Sequence, residues 1–358
     1  MTRHLISMAL ALVVSASTAF AQGRITNAKT ETRPVSQSLE REVQAVAARG
    51  GAAWVGYRAP MVAGPRQMCC YDSISSSGGA CCGQCRLEGG SGVTMSQNDS
   101  RVSLEPPTEF LVLARVESGA VMRLRTFTPD CDIDAAGMPL VWLNDVKPDD
   151  SVAWLTTLVA NAPESGEAHE RVAKPALAAI AMHNAAAADR ALESFVAVTR
   201  AEWLRADTTF WLGNSRGEAG ARLLTRIITQ DPSEKVRDKA TFGLSVSKQP
   251  AALKALLDAA RDDKSARVRG QALFWLAHKA GQQAVAAITG AIDSDPETEV
   301  KKKAVFALSQ LPKDEGVPML IQVARTNRNP EVRKQAMFWL GQSKDPRAVK
   351  FFEDILAK

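Results

Sequence analysis

The segment Asp231-Pro232-Ser233-Glu234-Lys235-Val236-Arg237-Asp238-Lys239-Ala240-Thr241-Phe242-Gly243-Leu244 decides the fold, because its marks return every 32 residues without slippage. Valine followed by a basic residue stands at Val236-Arg237, Val268-Arg269, Val300-Lys301 and Val332-Arg333. The same step yields Ala240, Ala272, Ala304 and Ala336, then Phe210, Phe242, Phe274, Phe306 and Phe338, then Leu212, Leu244, Leu276, Leu308 and Leu340. Twelve residues beyond Leu244 lies a second set: Leu192, Leu224, Leu256, Ile288, Leu320 and Phe352, followed by Val196, Ile228, Ala260, Ile292, Ala324 and Leu356. Each unit reads as two amphipathic helices, the first burying positions i, i+4 and i+8 and the second i, i+3 and i+7. One such pair cannot bury its own apolar face. Six of them, stacked from Glu167 to Lys358, share one long core, which predicts a mainly α chain built on a right-handed α-solenoid. Ser151 to Ala160 falls where the second helix of a capping half-repeat belongs.

Upstream of residue 148 the character changes. Residues 51–147 hold all six cysteines and β-rich runs at Trp54 to Tyr57, Phe110 to Val116, Val121 to Phe127 and Leu140 to Leu143, with Glu117-Ser118-Gly119-Ala120 as a hairpin turn. They predict a small cysteine-rich β module ahead of the solenoid at 148–358. Residues 22–50 are polar and read as a linker, with one amphipathic helix at Ser38 to Ala48 carrying Leu39, Val43 and Val46 on one side. Residues 1–21 show Arg3, an apolar run from Leu5 to Val14, and Ala19-Phe20-Ala21 before Gln22, the layout of a secretory signal. Its apolar part is about half the roughly 20 residues of a spanning helix. The expectation is a mature chain that is periplasmic or secreted, without a membrane span once the signal is removed.

The 358 residues are 46% apolar and 23% charged, enough for two or three domains with a sizeable core, which excludes a disordered chain or a mini-protein. Lys and Arg number 44 against 39 Asp and Glu, a balance of +5, or +4 once Arg3 has left. That is too mild to imply a nucleic-acid partner. The excess lies in the second half: residues 151–358 sum to +6 and residues 22–150 to −2.

Asp231-Pro232, Val236-Arg237, Ala240 and Phe242-Gly243-Leu244, renewed as Val332-Arg333, Ala336 and Phe338-Trp339-Leu340-Gly341, resemble HEAT repeats of the bilin-lyase type, as found in exported bacterial HEAT-repeat proteins. The resemblance covers the C-terminal part only. It implies the solenoid and is nearly silent on function, since that family includes lyase subunits, hydroxylases and plain scaffolds. The hydroxylases hold two irons through repeated His-Glu pairs, whereas His169-Glu170 is the sole such pair beside His183 and His278. His183 and His278 stand near the ends of first helices and read as caps favoured by the helix dipole. His169-Glu170-Arg171-Val172-Ala173 lacks the second histidine of a zinc protease helix, no G-x-S-x-G occurs, and Gly78 to Gly83 is followed by Gln84 where a phosphate loop needs Lys. No catalytic constellation and no cofactor or metal site is expected.

Cys69, Cys70, Cys81, Cys82, Cys85 and Cys131 make an even six in an exported segment too small to build a large core, which favours disulfides. Adjacent cysteines seldom pair with each other, so Cys69 and Cys70 bond outward; six cysteines allow 15 pairings and the spacing does not choose among them. A metal site built on Cys82-x-x-Cys85 with Cys69 or Cys70 and Cys131 is the rival reading, and a redox thiol a weaker one.

Three repeat columns bear on recognition. Arg237, Arg269, Lys301 and Arg333 follow Asp231, Asp263, Asp295 and Asn327 by six residues, resembling the Asp/Arg ladder that HEAT stacks use between neighbouring repeats, and are read as exposed structural pairs of small individual worth. Trp211, Trp275 and Trp339 alternate with Gly243 and Ala307, large beside small, and are read as core packing. Arg190, Arg222, Lys254 and Lys350 form the third column, broken by Ala286 and Pro318, on the exposed side of the second helices, which line the concave surface in HEAT solenoids. Basic residues in a first helical turn oppose the dipole by roughly 0.3–1 kcal/mol each, which suggests a use in binding. The sequence thus points to a non-catalytic scaffold that offers these four residues to another protein or a polyanionic envelope ligand. The alternative is an accessory or catalytic protein with a metal or redox-thiol site among the cysteines.

Overall fold

A computed structural model describes residues 24–64, 85–88, 105–279 and 281–357. The expected signal segment and Cys69, Cys70, Cys81 and Cys82 lie outside the described residues. The chain falls into two compact units that divide between Asp150 and Ser151.

The N-terminal unit runs β1 (Arg24–Thr26), β2 (Lys29–Pro34), α1 (Leu39–Ala47), β3 (Ala53–Pro60), β4 (Cys85–Arg86), β5 (Glu109–Glu117), β6 (Ala120–Phe127), β7 (Asp132–Asp134) and β8 (Pro139–Asn144). Five strands form one sheet in the order β2-β8-β3-β5-β6, and three short ones a second, β1-β7-β4. In the larger sheet β8 lies parallel to both β2 and β3, while β3, β5 and β6 are antiparallel. Ser118 and Gly119 both take positive φ, the two-residue turn that matches strand twist, so the hairpin stands where its sequence places it. Trp54, Leu111, Leu113, Leu140 and Trp142 from the large sheet pack with Cys85 and Ile133 from the small one in a single buried cluster. Gly56 admits the Trp142 ring: a Cβ there would stand 2.9 Å from it and 2.8 Å from Leu113.

The stretch read as a linker belongs to this unit. Lys-Thr-Glu-Thr-Arg-Pro of β2 hydrogen-bonds along β8 in unbroken register from Lys29↔Pro139 to Pro34↔Asn144. It is an edge strand with almost every side chain in water, so it carries none of the apolar alternation by which strands are recognised. The helix forms as expected, capped by the Ser38 hydroxyl, with Leu39, Val43 and Val46 buried. Glu42 is buried beside them, accepting from the Ser36 and Gln37 amides and the Ser36 hydroxyl and forming an ion pair with Arg33. Burial pushes its carboxyl up, but these partners together hold it below the usual range.

The division falls within α2 (Pro148–Ala160), and the C-terminal unit continues with a π-helical turn (His169–Ala173) that leads into α3 (Lys174–Met182). Pro175 has no N–H to return to Arg171, and the Lys174 amide reaches back five residues to the His169 carbonyl. Then follow α4 (Ala186–Phe195), α5 (Glu202–Ser215), α6 (Gly217–Gln230), α7 (Glu234–Val246), α8 (Pro250–Asp262), α9 (Ala266–Lys279), α10 (Gln282–Ser294), α11 (Thr298–Ser309), α12 (Lys313–Thr326), α13 (Pro330–Gln342) and α14 (Pro346–Leu356). First helices pack in series from α5 through α7, α9 and α11 to α13, and second helices from α6 through α8 to α10. The valine, alanine and leucine columns of the first helices are buried throughout. Among second helices Leu192, Leu224, Leu256, Ile288 and Leu320 are buried as expected. The last repeat slips by one position: Phe351 is buried, and Leu356 is 85% exposed.

Candidate functional site

The charged ladder links neighbouring repeats, as the resemblance implies, and differs from its sequence reading in burial. Arg205 donates through Nε and an Nη to both oxygens of Asp231 at 2.9 and 3.2 Å, Arg237 to Asp263 at 2.9 and 3.2 Å, and Arg269 to Asp295 at 2.7 and 2.9 Å. Each arginine therefore pairs with the aspartate 26 residues ahead, in the next repeat. The residue six positions back supplies its backbone carbonyl instead, Asp231 to Arg237, Asp263 to Arg269 and Asn327 to Arg333, at 2.8–2.9 Å. The carboxylates also accept the amide two residues on, Ser233, Ser265 and Glu297, which seats the entry to the following helix. These pairs are buried, with 3% of the Arg237 side chain and 4% of Asp263 exposed, so the small value of a surface pair does not apply to them. For Asp295 burial pushes the carboxyl up, but the Arg269 bonds and the Glu297 amide outweigh it and hold it low. The ladder stops where the column changes type: Lys301 binds the Asp293 carbonyl, and Asn327 brings no charge.

His183 ends α3 as predicted, yet it is no cation at a dipole. Its Nδ1 lies 2.7 Å from the Ala179 carbonyl, which can only accept, so Nδ1 carries the proton and Nε2 receives the Ser151 hydroxyl at 2.9 Å. Burial drives its pKa down to about 4, with the Arg216 charge adding to the effect and the Ala179 bond opposing it. The ring is neutral and ties α2 to the first repeat. His278 is exposed and bonds the Phe274 carbonyl, the capping position expected of it.

All four residues of the basic column are exposed, on α4, α6, α8 and α14. Each stands at the fifth or sixth helical position, beyond the first turn, so the dipole argument for an unexplained cost does not hold. Two of them carry their own carboxylate: Arg222 pairs with Glu218 at 3.0 Å and Lys254 with Asp258 at 2.7 Å, both within one helix. Arg190 and Lys350 have no ion pair among the described residues.

The tryptophan column is not core either. Trp211, Trp275 and Trp339 are half-buried, and each rests on the phenylalanine beside it. The indole nitrogens of Trp275 and Trp339 are shielded from water and have no acceptor. Large beside small does operate within the column, at the Gly243 between Trp211 and Trp275, where a Cβ would stand 3.0 Å from the Thr209 carbonyl carbon and 2.9 Å from Leu224.

Cys85 and Cys131 are buried in the cluster between the two sheets, and both sulfurs are disulfide-bonded. Thr128 Oγ1 lies 3.3 Å from the Cys131 sulfur. Among the described residues no three His, Cys, Asp or Glu side chains converge as a metal site would require. No helix of the described chain is long and apolar enough to cross a membrane.

Against this geometry the comparisons with known proteins are limited to the solenoid. Residues 285–358 match the HEAT-repeat family. No curated protein matches the sequence. Among solved structures, CpcE and CpcF of phycocyanin lyase from Nostoc share 24% identity over 42% of this chain and 98% of theirs, with a TM-score of 0.32. Human deoxyhypusine hydroxylase in complex with glycerol shares 15% over 58% of this chain and 90% of its own, with a TM-score of 0.25. Kap95p bound to RanGDP shares 14% over 59% of this chain and 32% of its own, with a TM-score of 0.38. These likenesses carry no activity over to this chain.

Proposed function

We propose that the protein is an exported, non-catalytic scaffold whose stacked second helices form the concave face of a HEAT solenoid and bind an acidic protein or polyanionic envelope ligand. The observation that carries this reading is the inter-repeat ladder. Buried bidentate pairs bolt successive repeats together and hold a long row of exposed second-helix side chains, Arg190, Arg222 and Lys254 among them, at fixed spacing. Capture from a native envelope fraction by the wild-type chain, and by a chain lacking residues 51–147, finds the partner. With that partner, Arg222→Glu/Lys254→Glu is expected to weaken binding at low salt and leave thermal stability almost unchanged, because both residues are exposed. Equal binding by the double variant removes the site from this column.

Export supports an oxidised framework in the β unit, with Cys69, Cys70, Cys81 and Cys82 completing the set begun by Cys85 and Cys131. The mature protein is then expected to show no reactive thiol under denaturing conditions and no stoichiometric zinc. Several free thiols with one bound metal would make the cysteines a metal or redox site. Reduction is expected to loosen the β unit and spare the helical signal, since the repeats involve no cysteine.

A further inference from the structure

The aromatic row of the first helices is a surface separate from the basic column. Phe210, Phe242, Phe274 and Phe306 are half-buried, each with one edge in water, and Phe338 is 53% exposed. The rings touch in an unbroken run. Phe210 stacks on Phe242 at 5.6 Å, Phe242 meets Trp275 at 4.7 Å and Trp275 meets Phe274 at 4.8 Å; Phe274 stacks on Phe306 at 5.9 Å, and Phe306 meets Trp339 at 4.8 Å. The buried valine, alanine and leucine columns form the core of the stack, and these rings lie outside it. A contiguous run of partly exposed rings that ends on the exposed Phe338 offers a partner an apolar strip.

Its charges indicate the partner. Lys239 and Lys303 stand three residues before Phe242 and Phe306, and Lys334 four before Phe338, spacings that set each lysine beside its ring. All three are exposed, and none has a carboxylate partner among the described residues. Neighbouring Lys235, Arg267 and Lys302 are by contrast paired with Glu202, Asp238 and Glu299. Gly270 makes room for one of the free lysines, since a Cβ there would run into the Lys303 side chain. Asp207 holds the corresponding position before Phe210 and Gln271 the one before Phe274, so the lysines flank Phe242, Phe306 and Phe338 only.

We propose that this row binds an extended acidic segment of a partner protein, its aliphatic or aromatic side chains lying on the rings and its carboxylates meeting Lys239, Lys303 and Lys334. With helices packed roughly 8–10 Å apart, the first helices from α5 to α13 span about 40 Å, the reach of about twelve extended residues. Alternation in such a segment turns apolar side chains to one side and acids to the other.

The test titrates the full chain with a fluorescein-labelled peptide of about twelve residues alternating Asp with Leu or Phe, read by anisotropy. Two control peptides replace Asp by Lys, or Leu and Phe by Ser. The acidic apolar peptide is expected to bind roughly tenfold or more tightly than either control. Lys239→Glu/Lys303→Glu/Lys334→Glu is expected to weaken it roughly tenfold, and Arg222→Glu/Lys254→Glu to leave it unchanged. Phe338→Ser, at the most exposed ring, provides a second variant that tests the apolar half with little risk to folding. Absence of saturable binding, equal binding of the controls, or indifference to the triple variant overturns the proposal. Loss only in the Arg222/Lys254 variant also overturns it, and places the peptide on the second-helix column.

Discussion

Asp263→Ala is expected to lower the stability of the solenoid by about 3–5 kcal/mol, the range for removing one partner of a buried ion pair and leaving the other charge unpaired. Arg237 is then stranded between α7 and α8 with its remaining bonds to the Asp231 and Pro232 carbonyls. Lys254→Ala removes an exposed pair of similar length and is expected to change stability by no more than about 0.5 kcal/mol. Arg237→Met/Asp263→Leu removes both charges and is expected to recover much of the loss. Urea unfolding followed by far-ultraviolet circular dichroism gives the ranking, and hydrogen exchange locates the opening at α7 to α9. Equal, small effects for Asp263→Ala and Lys254→Ala would show that the ladder is solvated.

Acid weakens the first repeat through His183. Its pKa falls from the ordinary 6.5 to about 4 in the folded chain, so the unfolded chain binds the proton first as pH drops. The stability contributed by the neutral ring is complete above about pH 6.5 and declines below it. It is lost by about pH 4, a change of about 3 kcal/mol. Urea midpoints measured between pH 7 and pH 4.5 are expected to fall for the wild type and to fall less for His183→Gln, which has no titrating ring. Parallel curves for the two proteins would mean that His183 is not held neutral.

The repeat was legible because a 32-residue period of buried valine, alanine and leucine is a packing requirement renewed at every helix pair, and the hairpin because Gly119 suits the positive φ that a two-residue turn between strands requires. β2 was not legible, since an exposed edge strand is fixed by backbone bonds and leaves no side-chain pattern. The ladder columns could be found, but not who pairs with whom. Offsets of 6 and 26 are complementary within one period, so spacing by itself does not separate a contact within a repeat from one between repeats, and it was the resemblance to HEAT stacks that pointed to neighbouring repeats. Its first rung, Arg205 with Asp231, was hidden because Leu204 replaces the valine of the motif. The carboxylates on Arg222 and Lys254 could have been read, for Glu218 and Asp258 stand four residues away on the same helices. The phenylalanine column shows why periodicity is not burial: a residue recurring once per repeat is as regular on the surface as in the core.

Binding along the second helices is tested most directly by lysine cross-linking of the complex formed in a native envelope fraction, with the cross-linked peptides identified by mass spectrometry. The scaffold reading predicts partner cross-links at Lys254 and Lys350, lost on Arg222→Glu/Lys254→Glu at the remaining Lys350. Cross-links confined to Lys29 and Lys147, with none on the second helices, would contradict it and place the protein's function in the β unit.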